Sequence, residues 1–188
     1  EVFEKIIKSY LDRCFQGESL QYEMMHTYTE LGKRDLLVSY YPIKDESDKI
    51  TRIAAIIRDI TERKQTEEAL REKEERYREL FDNMSSGVAV YEAIEDGQDF
   101  IFRDFNQAGE RIENISKEDL IGQSVVKMFP GVKDFGLLDV FQRVWQTGKP
   151  EHHPISLYQD DRIAGWRENY VYKLPSGEVI AVYDDVTE

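Results

Sequence analysis

Apolar residues at the start of the chain recur at helical spacing. Phe3, Ile6, Ile7, Tyr10, Leu11 and Cys14 form one stripe over residues 3–16, and Gly17 ends it. The period then changes to that of strands. Residues 20–28 (LQYEMMHTY), 35–43 (DLLVSYYPI) and 50–60 (ITRIAAIIRDI) are separated by a turn at Gly32 and a polar loop, which predicts an antiparallel meander. From residue 61 to 84 there is no Gly or Pro, and the pattern predicts one long charged helix. Its pairs Glu67/Arg71, Glu72/Arg76 and Glu74/Arg78 carry the acid on the N-terminal side, the better order. Leu70, Tyr77 and Met84 recur every seventh residue, with Leu80 in the offset position. They form a short heptad seam that Thr66 and Lys73 interrupt.

The second half opens with a strand at 85–94 (SSGVAVYEAI), a turn at Asp96-Gly97 and a strand at 100–106 (FIFRDFN). Short helical pieces run to Phe129, and Pro130-Gly131 breaks them. A helix is expected over 134–148, with Phe135, Leu138, Phe141, Val144 and Trp145 as its buried face. Three strands finish the chain: 152–158, 163–174 and 178–186.

This order contains a repeat. Helix, Gly, three strands and Asp-[Ile/Val]-Thr-Glu occur over 3–62 and again over 134–188. Each copy ends on a helix-start signature. Asp59 with Glu62, and Asp185 with Glu188, put an N-cap acid three residues ahead of a second acid, at the positive end of a helix dipole. Asp59, Thr61, Glu62, Asp185, Thr187 and Glu188 are therefore the expected strand-to-helix junctions. The chain begins with Glu and stops where a second helix would start, so a fragment of a longer protein is expected.

Residues 58–84 (RDITERKQTEEALREKEERYRELFDNM), with FNQAGERI at 105–112, IGQSVVKMFP at 121–130 and DDVTE at 184–188, resemble the PAS sensor domains with their C-terminal PAC segment. The resemblance covers nearly all of the chain. It implies an α+β fold: a five-stranded antiparallel sheet with helices on one face, preceded by a long signalling helix and a partial PAS domain. The implied domains are 1–62 (the C-terminal part of one PAS domain), 63–84 (linker helix) and 85–188 (a complete PAS domain). It also implies that the last strand of each sheet is central and pairs with the first. The parent protein would be a sensor histidine kinase, or alternatively a diguanylate cyclase.

Composition narrows the function. A formal net charge of −13 argues against nucleic acid and against docking on an anionic membrane. One cysteine, Cys14, excludes an internal disulfide and fits a reducing, cytoplasmic setting. No apolar run approaches a membrane span.

Catalytic constellations are absent from the sequence: no Gly-rich phosphate loop, no Cys/His pair, no serine in a nucleophile context. His152 and His153 are adjacent in a strand and point to opposite faces, so they do not readily chelate one ion; one is expected in the core and one on the surface. Asp160-Asp161 and Asp184-Asp185 are explained by a turn and a cap, and no metal site is expected. PAS domains hold cofactors between the long helix and the sheet. The cysteinyl-flavin branch needs a Cys near residues 122–130, and the haem branch uses a His on the pocket helices; neither is present, so no cofactor is expected.

What remains is an interior rich in aromatic residues. Phe100, Phe102, Phe129, Phe135, Phe141, Trp145, Trp166, Tyr170 and Tyr172 are candidates for it, together with His153. Arg167, Glu168 and Asn169 interrupt an otherwise apolar strand, and a polar group facing inward needs a partner. They point to a small-molecule ligand or an internal hydrogen-bond network. The expected role is sensing and relay, with a homodimer formed through Leu70, Tyr77, Leu80 and Met84 and a downstream output domain as partners. The competing expectations are a ligand-free dimerisation scaffold and, for the seam, side chains that cover the outer face of the second sheet.

Overall fold

The fold is given by a computed structural model that describes residues 2–187, with side chains from residue 7 onward. The side chains of Phe3 and Ile6 of the expected stripe, and Glu188 of the second junction, lie outside that description. Residues 1–74 and 75–188 form two compact units.

In the first unit, α1 (Val2–Phe15) is followed by β1 (Leu20–Tyr28), β2 (Gly32–Lys44) and β3 (Ile50–Asp59). The strands pair antiparallel in the order β1-β2-β3. Alternation along β2 turns Leu36, Val38 and Tyr40 to one face, where they bury with Cys14 and meet Tyr10, Leu11 and Tyr22. The Tyr10 and Tyr22 rings stack at 4.0 Å. Among the described residues β3 has β2 as its one strand neighbour, and its other edge is unpaired.

α2 (Thr61–Asp82) is a continuous helix. In the second unit β4 (Gly87–Ile94) and β5 (Asp99–Phe105) precede three short helices: α3 (Gln107–Glu113), α4 (Lys117–Leu120) and α5 (Val125–Met128). α6 (Leu137–Thr147), β6 (Glu151–Gln159), β7 (Ala164–Lys173) and β8 (Val179–Asp185) complete it. The sheet is antiparallel with order β5-β4-β8-β7-β6, so the last strand lies between the first strand and β7.

One face of this sheet carries the core. Phe100, Phe102, Phe105, Leu120, Phe141 and Val144 bury fully there. Asn106 fixes the crossing from β5 into α3. Its Oδ1 accepts N–H groups of Val88 (2.8 Å) and Gly109 (2.9 Å), and its Nδ2 donates to the Phe81 and Ser86 carbonyls, both at 3.0 Å. A fully buried amide with every hydrogen-bonding group engaged pins three segments at once.

The structure departs from expectation at α6. The helix begins at Leu137, not at 134, because Gly136 takes a left-handed φ of 83° and the preceding residues form turns. Phe135 therefore lies ahead of the helix. The buried face is Leu137, Leu138, Val140, Phe141 and Val144, while Trp145 is only half-buried, with Lys173 Nζ 5.5 Å from its ring centre.

Candidate functional site

The two junctions share one geometry. Thr61 N–H donates to Asp59 Oδ1 and Thr187 N–H to Asp185 Oδ1, both at 2.9 Å. Ile60 N–H donates to the Asp35 carbonyl at 2.8 Å, and Val186 N–H to the Trp166 carbonyl at 3.0 Å. The threonine hydroxyl completes each: Asp35 N–H donates to Thr61 Oγ1 at 2.9 Å, Trp166 N–H to Thr187 Oγ1 at 2.8 Å. A short Asx turn thus takes the chain off its last strand while Thr latches it to the neighbouring one.

The expected capping box is corrected. Lys64 N–H bonds the Ile60 carbonyl at 3.0 Å, so Ile60 holds the N-cap position and Asp59 acts from one residue further out. Glu62 sits in the first turn, favourable to the dipole. The hydrogen bonds from Thr61 hold the Asp59 carboxyl below the usual range, and Thr187 and Arg167 do the same for Asp185 against the effect of burial.

A cavity of about 50 Å³ lies in the core of the second unit. Its apolar wall includes Phe102, Phe105, Phe129 and Leu137, and its polar side brings together Glu113, Arg167 and Asn169. Arg167 is 5% exposed. Its Nε donates to Glu113 Oε1 at 3.3 Å and its Nη1 reaches Asp185 Oδ1 at 2.8 Å. Burial outweighs Arg167 and pushes the Glu113 carboxyl upward. Asn169 is 3% exposed, and its Nδ2 has no hydrogen-bond partner among the described residues. His153, directly opposite on β6, is also buried. Its Nε2 bonds the Phe135 carbonyl at 3.0 Å, which makes Nε2 the donor, and its Nδ1 has no partner. Burial lowers the His153 pKa, so the ring is neutral at pH 7.

Of the aromatic candidates, Phe102, Phe129 and Phe135 line the cavity; Phe100 and Phe141 are core beside it. Trp145 lies off the cavity. Trp166, Tyr170 and Tyr172 are not interior residues, which corrects the expectation. β7 alternates, so Gly165, Arg167, Asn169 and Val171 face inward, leaving Trp166 and Tyr170 46% and 48% exposed. Tyr172 packs on the outer side of the sheet with Val88, Val90 and Ile180. Glu168 also faces out and meets His152 at 2.8 Å. Sequence reasoning missed Glu113, Tyr91, Tyr158 and Tyr183. Tyr183 follows the inward parity of β8, whereas Tyr158 turns inward only because the register of β6 shifts between His153 and Ser156, and nothing local marks Glu113.

Phe81 of α2 is buried on the outer face of the second sheet, with Tyr77, Leu80 and Met84 bordering a groove there. Tyr77 stacks on Phe81 at 5.4 Å. The heptad residues are thus exposed in unequal ways: Leu70 and Leu80 stand out at 65% and 64%, while Tyr77 and Met84 are less exposed, and of the four only Leu70 does not border the groove of the second unit. Among the described residues, no His, Cys, Asp and Glu cluster could hold a metal ion, and no helix is long and apolar enough to cross a membrane.

Comparison with known proteins gives a consistent family. Residues 81–188, more than half of the chain, match the PAS fold, and residues 2–62 match the PAS domain. Among solved structures, the chain is similar to a domain of a sensory box sensor histidine kinase/response regulator from Geobacter sulfurreducens, at 17% identity and TM-score 0.49, over 62% of this chain and 96% of that one. It is also similar to the PAS domain of an HTR-like protein from Haloarcula marismortui (19%, TM-score 0.47, 65% and 99% covered). A third is the PAS domain of nitrogen regulation protein NR(II) from Vibrio parahaemolyticus (14%, TM-score 0.46, 58% and 96%). No curated protein matches the chain. With its five-stranded antiparallel sheet, the helices over one face and the family matches over 81–188 and 2–62, the chain belongs to the PAS family of sensor domains.

Proposed function

We propose that the chain is a sensory and relay segment of a multi-domain signalling protein in the cytoplasm, and that the second PAS domain reads a small molecule in its interior cavity. The observation that carries this reading is the polar side of that cavity. A buried amide nitrogen without a partner costs about 1–3 kcal/mol, and Asn169 has one on the polar side of the cavity, beside Glu113 and Arg167. Such a cost is sustained where a bound group, rather than the protein, supplies the missing partner. The occupant is taken to be dissociable, since the chain's cysteine, Cys14, is buried in the core of the first unit.

The signal would leave through the two Asp-[Ile/Val]-Thr junctions, with α2 as the conduit from the first to the second. A homodimer through α2 is part of the proposal. The parent protein is read as a sensor histidine kinase, on the resemblance of residues 58–84 and 184–188, with a diguanylate cyclase as the alternative output.

One observation favours a ligand-free scaffold instead: about 50 Å³ is far below the ~300–1,000 Å³ of drug-sized sites. The test is to denature the purified chain and identify what it releases by mass spectrometry, and in parallel to screen small molecules against its thermal unfolding. A released or stabilising molecule whose effect disappears in Asn169→Leu supports sensing. An empty cavity that no small molecule stabilises supports the scaffold.

A further inference from the structure

The two junctions are built alike but connected differently to their interiors. In the first, the residue after the latched Asp35 is Leu36, a side chain of the apolar core. In the second, the residue after the latched Trp166 is Arg167, which carries a buried charge to the same place. The residue before differs too. Arg34 in the first lies 3.7 Å from Asp59 at the surface. Gly165 in the second leaves the space that the guanidinium needs, because a Cβ there would stand 2.3 Å from Arg167 Nη1.

Arg167 therefore touches the cavity and the junction at once. Nε binds Glu113, a cavity-lining carboxylate, and Nη1 binds Asp185 Oδ1, the oxygen that also accepts Thr187 N–H. Its third nitrogen, Nη2, makes no hydrogen bond among the described residues. The cavity thus offers one buried donor without an acceptor among the described residues, Asn169 Nδ2, and the Arg167 guanidinium lines the same space two residues earlier on the inward face of β7.

The charges are already balanced. Glu113 and Asp185 share Arg167, and Arg162 adds a second cation over the Phe129 ring at 4.9 Å while donating to the Glu113 carbonyl. A further anion would bring an uncompensated charge into a buried site, which costs several kcal/mol. At about 50 Å³ the space suits roughly two waters, so it admits only the smallest organic molecules.

We propose that the cavity takes a small uncharged molecule with a hydrogen-bond acceptor, of the amide or ketone class, and that Arg167 reports its arrival by trading contact with Asp185 for contact with the ligand. This rests on the sensory reading above. Asp185 Oδ1 serves Arg167 and Thr187 together, so a change at one is felt at the other, at the point where the chain leaves the sheet. The first junction has no such connection, because Leu36 carries no charge.

The test uses the full chain, with acetamide, acetone and acetate as probes of equal size. Resonances of the Asn169 side-chain amide and the Thr187 backbone amide are followed by ¹⁵N NMR. Acetamide and acetone are expected to move both, with acetate at least tenfold weaker. In Glu113→Leu/Arg167→Leu, which removes both buried charges together, Asn169 is expected to respond and Thr187 to fall silent. Gly165→Ala keeps the charges but displaces the guanidinium; its Cβ would also stand 3.0 Å from Thr187 Oγ1, so the Thr187 response is read as the probe-induced shift from the variant's own unliganded spectrum. This variant is expected to weaken the Thr187 response severalfold, and it decides the matter if the double variant does not fold. A Thr187 response undiminished in either variant overturns the relay. Acetate binding as well as acetamide overturns the ligand class. An Asn169 amide unmoved by all three probes overturns the sensory reading itself.

Discussion

Thr61 Oγ1 accepts the backbone N–H of Asp35 at 2.9 Å, and so ties the first residue of α2 to a strand 26 positions earlier. Thr61 is buried, so the bond cannot be exchanged for water. Thr61→Val keeps the shape and removes the acceptor, leaving the Asp35 amide without a partner. The expected cost is about 1–3 kcal/mol, read in the full chain as lost hydrogen-exchange protection at Asp35. Thr187 is exposed, so Thr187→Val should cost clearly less, because water replaces the hydroxyl. Equal effects at the two sites would show that the latches are not distinguished by burial.

Phe141 and Trp145 lie one turn apart on α6 with different environments. Phe141 is fully buried between Tyr91 and Phe100, at ring separations of 4.8 and 5.4 Å. Phe141→Ala should cost about 3–5 kcal/mol. Trp145 is half-buried, so Trp145→Ala should cost less than half as much. Denaturant unfolding of the two variants tests this order, and the reverse order would mean that α6 is rotated about its axis.

Histidine 153 and Glu113 give opposite pH dependences. Burial lowers the His153 pKa below its unfolded value near 6.5, so the unfolded chain takes up the proton first. The contribution of His153 is complete above pH 6.5 and is lost as the pH falls toward its folded pKa. Glu113 is raised, so its contribution is complete below its unfolded value near 4.5 and is lost as the pH rises through its folded pKa. Subtracting the stability–pH curve of His153→Gln from that of the wild type should leave a positive slope below pH 6.5. The same subtraction with Glu113→Gln should leave a negative slope above pH 4.5. A flat difference curve for either would mean that the group is not buried in solution.

The strands, the long helix and both junctions are legible in the sequence because each rests on a local signal: period, a Gly or Pro stop, an Asp two residues before a Thr. The register of α6 is less so. Its start depends on Gly136 taking a left-handed φ, and a glycine permits that conformation without requiring it. The inward face of β7 was hidden for another reason. Aromatic residues at 166, 170 and 172 look like core, yet Arg167 and Asn169 hold the interior; Glu113 supplies Arg167 with a partner from 54 positions away, while Asn169 Nδ2 has none among the described residues. Long-range charge pairing leaves no local pattern, and the cavity was therefore the least legible part of the molecule.

The unpaired edge of β3 is expected to seek a strand. In the second sheet the corresponding strand, β8, is hydrogen-bonded on both sides, whereas β3 is bonded on one and exposes Ile56 and Ile57. Residues 1–62 expressed alone should give either no cooperative melt or an assembly larger than one chain. A cooperative, monomeric melt, measured by calorimetry with sedimentation, would show that three strands and α1 suffice without a covering strand.

Leu70 separates two roles for α2. Within the second unit, Phe81 anchors the end of the helix on the sheet's outer face, and Tyr77, Leu80 and Met84 border the groove beside it. Those positions would be disturbed by loss of that packing as much as by loss of a dimer. Leu70 belongs to the first unit, stands 65% exposed and is not among the residues of that groove. A parallel partner would bring two copies of Leu70 together across a two-fold axis, as the heptad spacing requires. Leu70→Glu then sets two carboxylates against each other on an apolar seam, where like charges oppose association. Sedimentation should shift from dimer toward monomer, while the amide spectrum of residues 85–187 stays that of the wild type. Phe81→Glu is the contrasting variant, and it should perturb that spectrum directly by burying a charge against Val88 and Ile180. If Leu70→Glu leaves the association state unchanged, α2 is not the dimer contact, and its exposed leucines face solvent or a different partner.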